Sequence, residues 1–95
     1  MDESLQGVKN KAVDYLSRRD HSEYELRTKL LKKGYDSNLI DLALQAMHEA
    51  NYLDDERYAR MIVRSGFERG HGPQKIRFKL QQQRVAKELV SAVFE

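Results

Sequence analysis

Sliding the chain along itself by 50 residues brings Leu26 onto Ile76, Lys29 onto Lys79, Leu30 onto Leu80, Tyr35 onto Val85 and Leu39 onto Leu89. Ile40 falls on Val90, Ala43 on Val93, Leu44 on Phe94, and His21 on His71. The apolar members of these pairs recur at three- and four-residue intervals, the spacing of a buried helical face. Self-similarity at a fixed offset is the signature of stacked units, each unable to bury its apolar face alone. The fold class that follows is all-α, with tandem three-helix (helix-turn-helix-like) repeats in two copies. A first unit with a short N-terminal tail spans 1–53 and a second spans 54–95.

Local signals agree. One proline, five glycines and no alternating Val/Ile/Thr run leave strands without a seed. Helices are predicted over about 8–19, 23–33, 37–49, 55–68, 73–83 and 86–94. Ser22 with Glu25 reads as a capping box in which each side chain serves the other's backbone N–H. Gly34 closes the second helix, Asp36 and Asp54 cap the third and fourth, and Pro73 opens the fifth. Tyr52 and Leu53 are expected to pack inward. Arg84 stands where the first copy has Gly34, so a different helix ending or a looser junction is expected there.

With no cysteine, the chain has no disulfide framework, thiol nucleophile or Cys-ligated zinc. Its three histidines share no metal-ligand spacing, and Asp54-Asp55-Glu56 is explained by capping and the helix dipole. Gly70, Gly72 and Pro73 form no phosphate loop, since no Lys-Ser/Thr follows and no strand precedes. No nucleophile with a base beside it can be named, so the reading is not an enzyme, with no cofactor, no metal and no small-molecule substrate. The acidic N-terminus leads into no apolar segment, and no run approaches a membrane span. A cytoplasmic protein without membrane contact is the default expectation.

Charge is distributed unevenly. The net value is only +2. Residues 36–56 hold six acids and no Lys or Arg, whereas 57–87 hold nine cations against Glu68 alone. On the fourth helix Ala59, Ile62, Val63 and Gly66 define the inner face, leaving Arg57, Arg60 and Arg64 as one outward stripe. Guanidiniums at this spacing fork onto carboxylates or phosphates, or else solvate an exposed face and pair with neighbouring acids. The candidate partner-binding residues are Arg57, Arg60, Arg64, Lys75, Arg77 and Lys79, extended by Arg27 and Lys32. Phe78 turns outward among lysines, and Tyr24 shares with Leu31 a face away from Leu26 and Leu30 that is expected to pack between helices.

The segments Tyr15-Leu16-Ser17-Arg18-Arg19-Asp20-His21-Ser22-Glu23-Tyr24-Glu25-Leu26, Lys33-Gly34-Tyr35, Asn51-Tyr52-Leu53-Asp54-Asp55-Glu56-Arg57-Tyr58-Ala59 and Gly70-His71-Gly72-Pro73 resemble, in order, the RecX family of regulatory proteins. The resemblance implies tandem three-helix repeats and no catalytic residues. It also implies a negative regulator that lies in the groove of the RecA filament on single-stranded DNA. There it would restrain filament growth, ATP hydrolysis, strand exchange and co-protease activity. Family members usually carry a third repeat; this sequence ends at Glu95 after the second, and Arg84 departs from the family's Lys-Gly turn. The competing reading is a helical module that contacts the nucleic-acid backbone directly. Neither third helix offers base readers, since 37–49 is acidic and 86–94 mostly apolar.

Overall fold

Five of the six helices of this protein start where the sequence supplies a reason for one; the last follows Ala86 with no side-chain cap. The computed structural model describes residues 1–95, with α1 over Leu5–Arg18, α2 over Glu23–Lys32, α3 over Ser37–Glu49, α4 over Asp55–Glu68, α5 over Pro73–Gln82 and α6 over Lys87–Val93. The side chains of Ser4, Ser22, Asp36 and Asp54 each accept a backbone N–H from the first turn they precede. Pro73 occupies the first turn of α5, where a missing N–H costs nothing. No strand is present.

The 50-residue offset is structural. α4 and α5 occupy the ranges of α1 and α2 shifted by that number, and α6 begins where a shifted α3 would. Helices α1, α2 and α3 pack on one another around ten buried residues, among them Val8, Ala12, Leu26, Leu30, Ile40 and Leu44. Helices α4, α5 and α6 surround a smaller cluster of Tyr58, Ala59, Ile76, Leu80, Val85 and Val90. End to end the molecule measures 42 × 22 × 19 Å.

Four helices end alike. In α2 the Tyr35 N–H reaches back to the Leu30 carbonyl and the Gly34 N–H to Leu31, with Gly34 at φ +91°. The same pair of bonds follows α3 at Asn51 and Tyr52, α4 at Gly70 and His71, and α5 at Arg84 and Val85. This two-bond closure needs a left-handed residue just past the helix.

Three expectations are corrected. Arg84 adopts the left-handed conformation, φ 59°, so the second copy keeps the turn of the first instead of loosening it. A side chain there costs about 1–2 kcal/mol. The Arg84 guanidinium lies over the Tyr24 ring of the first unit, 5.2 Å from its centroid, an attraction of about 0.5–1 kcal/mol that offsets part of the strain. Tyr52 does not pack inward; it is 53% exposed, while Leu53 beside it is buried. The capping box at α2 is one-sided: the Ser22 hydroxyl takes the Glu25 N–H at 3.0 Å, but the Glu25 carboxylate turns to Arg19.

Candidate partner-binding surface

The joint between the two units is built of charge. Asp54 caps its own helix, and its neighbour Asp55 instead reaches across to accept the backbone N–H of Glu23 at 2.8 Å, so α4 of the second unit caps α2 of the first. Burial, opposed by that hydrogen bond, raises the Asp55 carboxyl above the ordinary carboxylate value. Arg57 makes the second tie. Its Nε donates to Asp20 Oδ1 at 2.8 Å, and its two terminal nitrogens donate to the carbonyls of Asn51 and Tyr52 at 3.1 and 3.0 Å.

Arg57 is therefore spent on holding the units together, and its guanidinium is not free at the head of the arginine stripe. Three charge-assisted bonds at a half-exposed site are worth about 1–2 kcal/mol together after solvent screening. Arg57→Ala is expected to lower stability by that amount in urea titration, with the loss shared by Asp20→Ala and not additive in the double variant.

A second network lies beneath. Arg19 forks onto both oxygens of Glu25 at 3.0 and 2.6 Å, which raises the guanidinium pKa further. Burial alone would raise the Glu25 carboxyl, but the bond and charge of Arg19, aided by His21 and Lys29, carry it below its ordinary value. The Tyr58 phenol, 1% exposed, is pushed up to about 12 by burial and by the nearby Glu25 charge.

His21 is buried among these groups. One ring nitrogen, Nδ1, sits 3.1 Å from the Arg19 carbonyl, which can only accept, and Nε2 sits 2.8 Å from the Lys29 ammonium, which can only donate. The ring is thus neutral with its proton on Nδ1. Burial, with the charges of Arg19 and Lys29, lowers its pKa against the opposing pull of the Arg19 carbonyl and Glu25. An unfolded chain takes up this proton near pH 6.5 and the folded one only below that. Stability supplied by His21 is therefore complete above about pH 6.5 and lost as pH falls through the lower folded pKa. Urea midpoints should drop on acidification through this window, and His21→Gln should flatten the dependence.

Along α4 and α5 of the second unit, bordered by Arg19 and Glu25 of the first, opens a cleft of about 460 Å³. Its α4 wall consists of Met61, Ile62, Ser65, Gly66 and Arg69, the face next to the arginine stripe, and Tyr58 lines its inner end. Its other side carries His71, Lys75, Ile76 and Lys79, with Arg19 and Glu25 at one end. Close approach of α5 to α4 makes this geometry, because a Cβ on Gly66 would stand 2.6 Å from Ile76 Cγ1.

The structure thus sorts the predicted residues. Lys75 and Lys79 come together in the cleft. Arg60 is exposed on α4 and pairs with Glu56 one turn away at 3.1 Å, and Arg64 is exposed with no carboxylate in ion-pair range. Arg27 pairs with Asp41, and Arg77 lies on the Phe94 ring, 4.3 Å from its centroid. Lys32 is exposed at the end of α2. Phe78 is 59% exposed, turned outward as expected; Tyr24 and Leu31, expected to pack between helices, are exposed instead, and Tyr24 meets only the Arg84 guanidinium across the joint. Sequence reasoning missed Arg69 and Arg19 as cleft residues, and Tyr58 as the largest buried side chain of the second unit. The Arg69 signal was available, since it lies one helical turn past Ser65 and carries no paired acid.

Two three-helix units in tandem, joined by polar contacts and walled by cations, define a helical-repeat protein with a cationic face. Comparison with known proteins narrows the class. Residues 9–46 match the family model of the first three-helix domain of RecX, and residues 54–93 match that of the second. The chain belongs to the RecX family. It is 48% identical over 82 residues to the regulatory protein RecX of Vibrio parahaemolyticus, covering 86% of this chain and 53% of that one. Against the regulatory protein RecX of Vibrio vulnificus the identity is 42% over 90 residues, covering 95% and 59%. Against that of Halorhodospira halophila it is 38% over 90 residues, covering 95% and 56%. The chain spans about half the length of these curated relatives. A crystal structure of regulatory protein RecX superposes with a TM-score of 0.84 at 22% identity, covering 94% of this chain and 44% of that one. No helix is long and apolar enough to cross a membrane.

Proposed function

We propose that this chain is a negative regulator of the RecA recombinase, acting without chemistry of its own by docking a basic helical surface in the groove of the RecA filament on single-stranded DNA. Bound there, it restrains filament growth, ATP hydrolysis and strand exchange. The observation that carries this reading is the match to RecX across both three-helix units. The proposed contact surface consists of Arg60, Arg64, Lys75 and Lys79 with Lys32. Arg57, Arg77 and Arg27 support it from engaged positions. Acidic side chains of the filament and nearby phosphates are the counter-charges, and their long-range attraction speeds encounter more than it tightens the complex.

The test leaves the joint intact. Arg60→Glu with Arg64→Glu, keeping Arg57, is expected to weaken inhibition of RecA-filament ATP hydrolysis by about tenfold or more, with unchanged circular dichroism. Full inhibition by this double variant would remove α4 from the contact surface. Equal binding of the parent chain to naked and RecA-coated strands would favour the nucleic-acid-backbone reading instead.

A further inference from the structure

We infer that the cleft along α4 and α5 of the second unit is a docking site for an acidic peptide segment that carries an apolar anchor residue. The inference rests on the filament reading for the identity of the natural partner, but the chemistry of the cleft stands on its own lining.

That lining has two parts. The rim holds Arg69, Lys75 and Lys79, three cations without an ion-pair partner, together with His71. Arg19 also faces the cleft, but it is neutralised by the one carboxylate there, Glu25. The floor between the cations is apolar: the half-buried Met61 and Ile62 present their surface there, over the buried Ile76 that packs against Gly66. A void of about 460 Å³ is within the size range of sites that bury a large side chain with its neighbours.

Charge alone admits any anion, so the floor decides. A phosphate chain would satisfy the rim and leave Met61 and Ile62 unused. Single-stranded nucleic acid would use such a floor only through stacking on exposed aromatic rings, and the cleft's one tyrosine, Tyr58, is 1% exposed. A Leu or Phe side chain fits a floor of Ile and adaptable Met, flanked by carboxylates that reach the lysines and Arg69. Charge complementarity and the apolar floor together select the peptide.

The probe is a fluorescein-labelled hexapeptide, Asp-Glu-Leu-Phe-Glu-Asp, titrated against the full chain by anisotropy and by methyl-resolved NMR. Expected are shifts of the Met61, Ile62 and Ile76 methyl signals, and loss of binding when the acids become amides or when Leu-Phe becomes Gly-Gly. Lys75→Glu with Lys79→Glu, both exposed positions, should weaken the peptide about tenfold. Lys75→Gln with Lys79→Gln supplies the same test if charge reversal disturbs folding. Arg60→Glu with Arg64→Glu should leave peptide affinity unchanged. Equal binding of the Gly-Gly peptide, tighter binding of an oligothymidylate to the same methyl signals, unmoved methyls, or no binding at millimolar peptide would each overturn the inference. Filament association is measured separately, so a silent cleft with intact filament binding sinks this inference alone.

Discussion

Alanine in place of Tyr58 is expected to lower the stability of the second unit by about 3–5 kcal/mol, the cost of emptying an aromatic site in a core. Tyr58 is the largest of the six buried residues around which α4, α5 and α6 pack, and that cluster is smaller than the ten-residue core of the first unit. A unit of some 45 residues has little stability in reserve. We propose that 1–53 and 54–95 are separate folding units, so the loss should be local. Amide exchange in Tyr58→Ala should show α4–α6 losing protection while α1–α3 retain theirs. Uniform loss across all six helices would mean that the joint through Arg57 and Asp55 makes one cooperative unit of the chain.

Leucine at position 66 should be nearly as damaging. Gly66 is buried where α4 and α5 touch, and even a Cβ would lie 2.6 and 2.7 Å from Ile76 Cγ1 and Cδ1. Ile76 is itself buried and cannot swing aside, so a large side chain must part the helices at a cost of about 2–3 kcal/mol. In a domain of this size that lowers Tm by about 10–20 °C. Gly66→Ala is the graded control: its Cβ meets the same Ile76 atoms, so it destabilises despite about 1 kcal/mol of helix propensity gained, but by less than leucine does. An unchanged Tm in Gly66→Leu would show that α5 yields freely and that the cleft is not held open by this contact.

Much of the fold was legible because its determinants are local. The predicted ranges of α3 and α4 coincide with those observed, and the other helices differ by a few residues at their ends. The caps at Ser22, Asp36 and Asp54 are short-range events between residues two or three apart. The repeat was visible because apolar spacing records the core directly. The joint was not visible. Asp20 to Arg57, and Glu23 to Asp55, are contacts between side chains and backbone more than thirty residues apart, and a charge in a sequence does not name its partner.

The arginine stripe shows the same limit. Periodicity set Arg57, Arg60 and Arg64 on one face correctly in angle, yet three acceptors from the chain itself engage the first of them. Tyr58 was missed for a related reason. Ala59, Ile62, Val63 and Gly66 fix the direction of the α4 core, but Ile62 and Val63 remain half-buried, and the deeper position belongs to the residue beside Ala59. Arg84 escaped because a propensity rule priced the left-handed turn without the Tyr24 ring that meets it.

Retention of this chain on immobilised single-stranded DNA, naked and coated with RecA, tests the central claim most directly. The account predicts strong retention on coated strands, weak retention on naked ones, and a fall in filament ATP hydrolysis as the chain saturates the coated strands. Equal retention on both, or saturation without any change in ATP hydrolysis, would contradict it.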